Sequence, residues 1–285
     1  MPSMYAHYTF GSKVFKALPK SARDIIKRNK ELYLIGLQGP DILFYYRPLS
    51  KNRINRYGYG MHDRPASEFF IPAASKYVKS GRNEAMLAYL LGFICHFSLD
   101  STCHGYIEKK IETDGVCHTE IEVEFDRYLL TEDGFDPLRY HTSSSVTPSK
   151  KNAAVISACF DEISPAEVLK ALKSMVFYSD VLVAPGRLKR KVLYTGLKAA
   201  GKYDPMHYMI MSRIPAPECE DSCLRLSKLM NRKAVDLAVR LVGSFMSYTG
   251  GNGVLDPWFE ETFGPGKDWR NIRICTPEEE VTYEV

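Results

Sequence analysis

The stretch from Ala85 to Asp126, AMLAYLLGFICHFSLDSTCHGYIEKKIETDGVCHTEIEVEFD, constrains this chain more than any other. Its first part is apolar enough for a core helix, yet it carries His96, Asp100 and His104 at i, i+4 and i+8. At about 100° per residue these three fan across roughly 80° of one helical face and can converge on a point. After a break at Asp114-Gly115, His118 and Glu122 repeat the i, i+4 spacing, so a second helix presents an imidazole beside a carboxylate. Burying such groups in an apolar surround costs several kcal/mol unless they are paired or bound to a cation. A lone histidine on an apolar face is ordinarily a hydrogen-bonded core residue, and one His-x3-acid pair recurs on helices by chance. Here three of the chain's seven histidines each have an acid or another histidine one turn away, which favours a metal site.

With 285 residues the chain can bury a full-sized core. No stretch reads as a linker, so a single domain over 1–285 is expected, with the metal-binding blocks in 1–130 and a helical remainder, 145–285, of unassigned role. A net charge of +4 is too small to make nucleic acid the leading partner. The N-terminus, MPSMYAHYTFGSKVFKALPK, lacks the basic-then-apolar order of a secretory signal, and no run approaches the roughly 18 apolar residues of a membrane span. A cytoplasmic protein is the expectation. Seven irregularly spaced cysteines fit reduced thiols better than a disulfide framework. Cys219 and Cys223 lack a second pair and read as structural, and Cys103 and Cys117 point about 100° away from the donors they adjoin.

Along the chain, Pro19–Leu34 reads as a polar helix. In LYLIGLQGPDILFYY, Gly36, Gly39 and Pro40 break regular structure and leave Asp41 in a loop or first helical turn, an acid among apolar neighbours. Leu49–Met61 lacks helical periodicity and is expected as an exposed loop ending at His62. Helices are expected over Ala66–Ser80, from Glu84 through the core stretch, over His118–Leu130, over Asn152–Ile163, and from the Ser164-Pro165-Ala166-Glu167 cap to about Tyr178. Arg187–Ala200 is a helix or a mobile loop, and Tyr203–Glu220 looks irregular. Ser222–Tyr248 carries an apolar stripe at helical spacing that ends at Gly250-Gly251. No segment alternates like a strand, so the fold class is all-α, with ligands reaching inward from helices and from N-terminal loops.

AHYTFG around His7, GLQGPDILFYY around Asp41, MHD at His62, HFSLDSTCHGYIE and HTEIEVEFD resemble the successive motifs of the bacterial zinc-dependent phospholipase C family, which is similar in fold to the S1/P1 nucleases. The resemblance covers about the first 130 residues. It implies a multi-helix bundle with a cleft holding two or three zinc ions. Asp41, His62, His96 and Asp100 would hold the first, and Asp100 would bridge to a second bound by His7 and the amino terminus. His104, His118 and Glu122 would hold another. Because MPSMYA precedes His7, an amino-terminal contact would come from Pro2 after methionine removal. Imidazoles and carboxylates in incomplete sets suit zinc and leave positions for water or substrate.

The implied chemistry is hydrolysis of a phosphoric ester, a metal-activated water attacking a phosphodiester with release of a phospholipid head group. Asp41 is the candidate for orienting or deprotonating that water, or is a ligand alone. The aromatics Phe44, Tyr45, Tyr46, Tyr57, Tyr59, Phe69 and Phe70 line a substrate mouth or, as the better-favoured reading, form core. The partners expected are a small phosphodiester or phospholipid and, through RLKRK at Arg187–Lys191, a transient membrane-surface contact. Three alternatives stay open. These are a nuclease or nucleotidase on the same scaffold, an HD-type phosphohydrolase built on His62-Asp63, and a non-catalytic protein whose metals staple helices together. His141 and His207 lack partners at helical spacing and are expected at the surface.

Overall fold

The computed structural model describes residues 4–285, apart from the side chain of Pro205, and among these it is helical with no strand. Its axis is α6, Glu84–Asp114. Asn83 caps it by accepting from the amides of Ala85 at 2.9 Å and Met86 at 3.3 Å, and Gly115 ends it in the left-handed conformation at φ 72°. Its most apolar 18-residue window has a mean hydropathy of 1.3, enough by composition for a membrane span, which the sequence reading had denied. Of that window 89% is buried within the protein, so it is the centre of a core and the expectation of no membrane span stands among the described residues.

Helices α1 (Met4–Ala17), α2 (Lys20–Arg28) and α3 (Lys30–Gly36) pack against α6. The expected helix over Pro19–Leu34 is thus two, divided at Asn29, whose φ of −130° interrupts the spiral. Gly36 does not break structure. It closes α3 opposite Gly92 of α6, and a side-chain carbon at either glycine would collide with the backbone of the other helix. The N-terminal ligand segment is also helical, so His7 projects from α1 and not from a loop.

A 3₁₀ segment, Gly39–Tyr45, carries Asp41. Leu49–Met61 is not an exposed loop: Arg53–His62 forms α4. Asn52 and Asn55 make a reciprocal capping box, and Ile54, Gly58 and Met61 turn inward at helical spacing that two glycines and several polar residues obscure in the sequence. Next come α5 (Ser67–Lys79), α7 (His118–Glu132), α8 (Lys150–Ser157) and α9 (Pro165–Leu182). The Ser164–Glu167 capping box opens α9 as expected, while α8 stops six residues short of Ile163.

In the remainder, α10 (Arg187–Ala199) is a full helix, and α11 (Tyr203–Met206) is a short turn in an irregular stretch. The long C-terminal helix divides into α12 (Glu220–Leu229) and α13 (Val235–Thr249) around a wide π-type turn, Met230–Ala234. A last turn, α14 (Pro277–Thr282), docks Glu280 on Arg225 of α12. One core cluster runs from Met4 to Phe263, and all seven cysteines are free thiols.

Candidate metal centre

Elements α1, α4, α6, α7 and the 3₁₀ segment converge where α6 changes from apolar to polar. His96 and Asp100 lie on its inner face, and Nε2 of His96 stands 3.0 Å from Oδ2 of Asp100. The other oxygen of Asp100, Oδ1, faces Nε2 of His7 at 3.3 Å. From α4, His62 places Nε2 3.3 Å from Oδ1 of Asp41 and 3.8 Å from Oδ2 of Asp100. The two oxygens of one carboxylate therefore face different imidazoles. One turn along α6, His104 meets the α7 pair: Nε2 of His118 lies 3.3 Å and Nε2 of His104 4.0 Å from Oε1 of Glu122.

These donors form three groups, His7–His96–Asp100, Asp41–His62–His96 and His104–His118–Glu122, each with its atoms within 4.8 Å of one another. Between the first and the third lies a void of about 20 Å³ bordered by His7, Asp100, Cys103, His104 and Glu122, room for one water-sized occupant. All eight residues singled out in the sequence are thus brought together. The expected amino-terminal contact lies outside the described residues.

Three imidazoles are oriented from behind. Nδ1 of His96 is 3.2 Å from the Leu37 carbonyl, Nδ1 of His62 is 3.2 Å from that of Gly58, and Nδ1 of His104 is 2.5 Å from that of Phe263. Donation of the Nδ1 proton to a carbonyl leaves the Nε2 lone pair aimed at the cluster, the outer-shell pattern of metal-binding histidines. Gly39 belongs to this arrangement. Its φ is +49°, and any side chain there would collide with the His96 ring, which accounts for glycine beside Pro40 and Asp41. On α1, Asp126 accepts from the amides of Tyr5 at 3.2 Å and Ala6 at 2.8 Å, which seats the helix so that His7 stacks on His96 with ring centroids 4.1 Å apart.

The electrostatics suit a cation. Burial pushes the Asp100 carboxyl up, but His96, His104 and His7 outweigh it and hold the group well below the usual carboxylate range. Burial opposes the lowering that Asp41 and Glu122 also show, to which His62 and His96 contribute at Asp41 and His118 and His104 at Glu122. Burial and the neighbouring His96 push His7 down, keeping its imidazole neutral. Two ring nitrogens, Nδ1 of His7 and Nε2 of His96, are buried without a hydrogen bond. Ionised carboxylates, a neutral imidazole at His7 and an unsatisfied buried ring nitrogen on His96 belong to the donor set zinc takes.

Two further acids were missed. Glu108 continues the His96, Asp100, His104 series by one more turn and stands 3.8 Å from Nδ1 of His118, and Asp126 continues His118 and Glu122. The i+4 recurrence that exposed the others was present for both. Asp63 sits exposed at the end of α4 and belongs to none of the three groups. Among the aromatics, Phe44, Tyr45, Phe69 and Phe70 are core, as favoured, and Tyr46 is partly covered, whereas Tyr57 and Tyr59 are exposed and not core; Tyr59 stacks on Phe44 at 4.0 Å, beside His62. His141 is exposed as expected but not without a partner, since Nδ1 lies 2.8 Å from Oδ1 of Asp180.

A helical bundle that turns buried imidazoles and carboxylates on one another from five elements defines an all-α protein with a candidate polynuclear metal centre. The family model of zinc dependent phospholipase C matches residues 6–173, and the chain belongs to that family. The family is one of zinc-dependent hydrolases acting on phosphoesters. The match includes every donor residue and runs beyond the 130 residues of the sequence resemblance. No curated protein and no solved structure matches the chain.

Proposed function

We propose that this protein is a zinc-dependent phosphoric ester hydrolase of the phospholipase C type, cleaving a phosphodiester and releasing a phosphorylated head group from a phospholipid. The observation that carries the reading is Asp100, whose two carboxylate oxygens face His7 on one side and His96 and His62 on the other. Such a carboxylate joins two adjacent metal groups into one centre. Asp41, His62 and His96, with Asp100, would hold one zinc ion, His7 and Asp100 a second, and His104, His118 and Glu122 a third. Zinc bound there supplies Lewis-acid charge for phosphoryl oxygens and acidifies water.

The chain's own residues do the rest. Backbone carbonyls of Leu37, Gly58 and Phe263 fix three imidazoles, so the centre needs little rearrangement on binding a substrate. Asp41 lies inside a donor group with Oδ1 3.3 Å from Nε2 of His62, and there it would serve as a ligand. The third group contributes three protein donors, which leaves room for a water or a phosphoryl oxygen beside it.

Purified protein assayed for zinc and for turnover of phosphatidylcholine, a nucleotide and a bis-aryl phosphate tests the reading. Zinc with cleavage of the lipid and the aryl diester supports it; full zinc occupancy without turnover of any of the three favours a metal-stapled structural protein. One observation favours a nuclease or nucleotidase as the second reading: the exposed Tyr59 ring stacked at 11° on Phe44 is a platform on which a base can stack. An HD-type site would need Asp63 beside His62, and its exposure outside the donor groups argues against that alternative.

A further inference from the structure

The helix α10 lies beyond the family match and buries no residue. Its inward side consists of Arg190, Leu193, Tyr194 and Leu197, all partly covered, and Arg190 ties it down by donating to the carbonyls of Ala184 at 3.0 Å and Met211 at 2.9 Å. On the opposite side Leu188 and Val192, one turn apart, are 77% and 63% exposed, with Ala199 continuing the stripe. Helical geometry at about 100° per residue places Arg187, Lys191 and Lys198 along one border of that stripe and Lys189 along the other. The segment 181–203 holds six basic residues and no acidic one. Ile214, 77% exposed, follows Arg213, whose guanidinium bonds the Pro185 carbonyl just before α10.

An apolar stripe facing water between rows of cations is the pattern of a helix that lies in the plane of a lipid interface. The inner side of α10 is largely apolar, as in any helix of a globular protein, and what sets it apart is the second apolar pair, Leu188 and Val192, on the side that faces water. A cavity of about 70 Å³ borders α10 at Arg190. Leu182, Val183 and Arg190 line it together with Tyr45, Val123 and Asp126. Through Arg190 the helix borders a space that also meets the two elements carrying Asp41 and Glu122.

We propose that α10 is an interfacial docking helix for anionic phospholipid surfaces, with Leu188 and Val192 entering the head-group boundary while Arg187, Lys191 and Lys198 meet lipid phosphates. The positive charge of the segment selects an anionic surface, and the apolar stripe selects a membrane over a merely polyanionic partner. The inference deepens the phospholipase reading but is tested without turnover.

The test is co-sedimentation of the full chain with vesicles of phosphatidylcholine alone or mixed with phosphatidylglycerol. Wild type is expected to partition onto the mixed vesicles, and both Leu188→Ser/Val192→Ser and Arg187→Glu/Lys191→Glu are expected to lose about tenfold or more in partitioning. All four residues are exposed, so melting temperature and hydrolysis of a soluble aryl phosphodiester stay at wild-type level. Equal binding to both vesicle types overturns the proposal. So does wild-type partitioning of the Leu188→Ser/Val192→Ser protein, or binding matched by duplex DNA and insensitive to that substitution. If vesicles bind as described but no phosphodiester is cleaved, the docking helix stands and the hydrolase reading falls.

Discussion

The donor groups and α10 make opposite use of their surroundings. Around Asp100, polar side chains sit in a nearly water-free interior and are held by backbone carbonyls, counter-charges and one another. On α10, apolar side chains sit in water between cations. Each is costly for the isolated chain; a bound metal would relieve the first and, on our proposal, a lipid surface the second. The lesson is that an unfavourable placement read against its own environment points to what is missing from it.

The sharpest way to break this contrast is at Asp100. Asp100→Asn keeps the shape but removes the charge shared by two donor groups; it should lose zinc from at least one of them and reduce turnover by roughly a thousandfold. Elemental analysis and kinetics on an aryl phosphodiester read both effects. Undiminished zinc and rate would mean that the carboxylate does not join the groups.

Next in size is Gly39→Ala, which forces a side chain into a left-handed φ and against the His96 ring. A loss of about 2 kcal/mol is expected, seen as a lower denaturant midpoint at unchanged m-value. The same change at Gly196 of α10, where a Cβ meets nothing, should be neutral or slightly stabilising. Equal effects at the two positions would erase the distinction between an over-determined interior and a free surface helix.

These two glycines show what the sequence made legible. The donor spacing on α6 and α7 was plain because regular helices convert i+4 recurrence directly into a shared face. His7, Asp41 and His62 were placed through their motifs, whereas the helices that carry His7 and His62 went unread. In α4 the inward positions include Gly58, which contributes no apolar signal, and α1 mixes tyrosines and polar residues around its buried face. The carbonyl of Phe263 behind His104 was beyond sequence reasoning, since a backbone contact 159 residues away leaves no mark on either side chain. On α10 the RLKRK charge run was legible, whereas the exposure of Leu188 and Val192 was not.

A subtler effect concerns His118. Burial pushes its imidazole down, but Glu122 and Glu108 prevail and hold it up at about 10. Being raised, this contact stabilises the metal-free fold fully below the ordinary histidine range and is lost as pH rises through about 10. At neutral pH zinc must therefore displace the His118 proton. Calorimetric zinc titrations in buffers of different ionisation enthalpy should show about one fewer proton released for His118→Ala than for wild type. An unchanged proton count would place His118 outside the centre.

The smallest expected change is at the rim. Tyr59→Ala removes an exposed ring that only stacks on Phe44. It should raise KM a few-fold with kcat intact, by removing roughly 1 kcal/mol of stacking or cation–π contact. A larger loss for a nucleotide than for phosphatidylcholine would move the substrate reading toward a nuclease.

The central claim is that the donors of α1, α4, α6, α7 and the Gly39–Tyr45 segment surround cations. Anomalous scattering across the zinc absorption edge, from crystals of the protein purified without chelator, tests it directly. The account predicts zinc peaks on both sides of the Asp100 carboxylate and a further one between His104, His118 and Glu122. A map with no peak among these residues, with each imidazole hydrogen-bonded to protein or water, would contradict it.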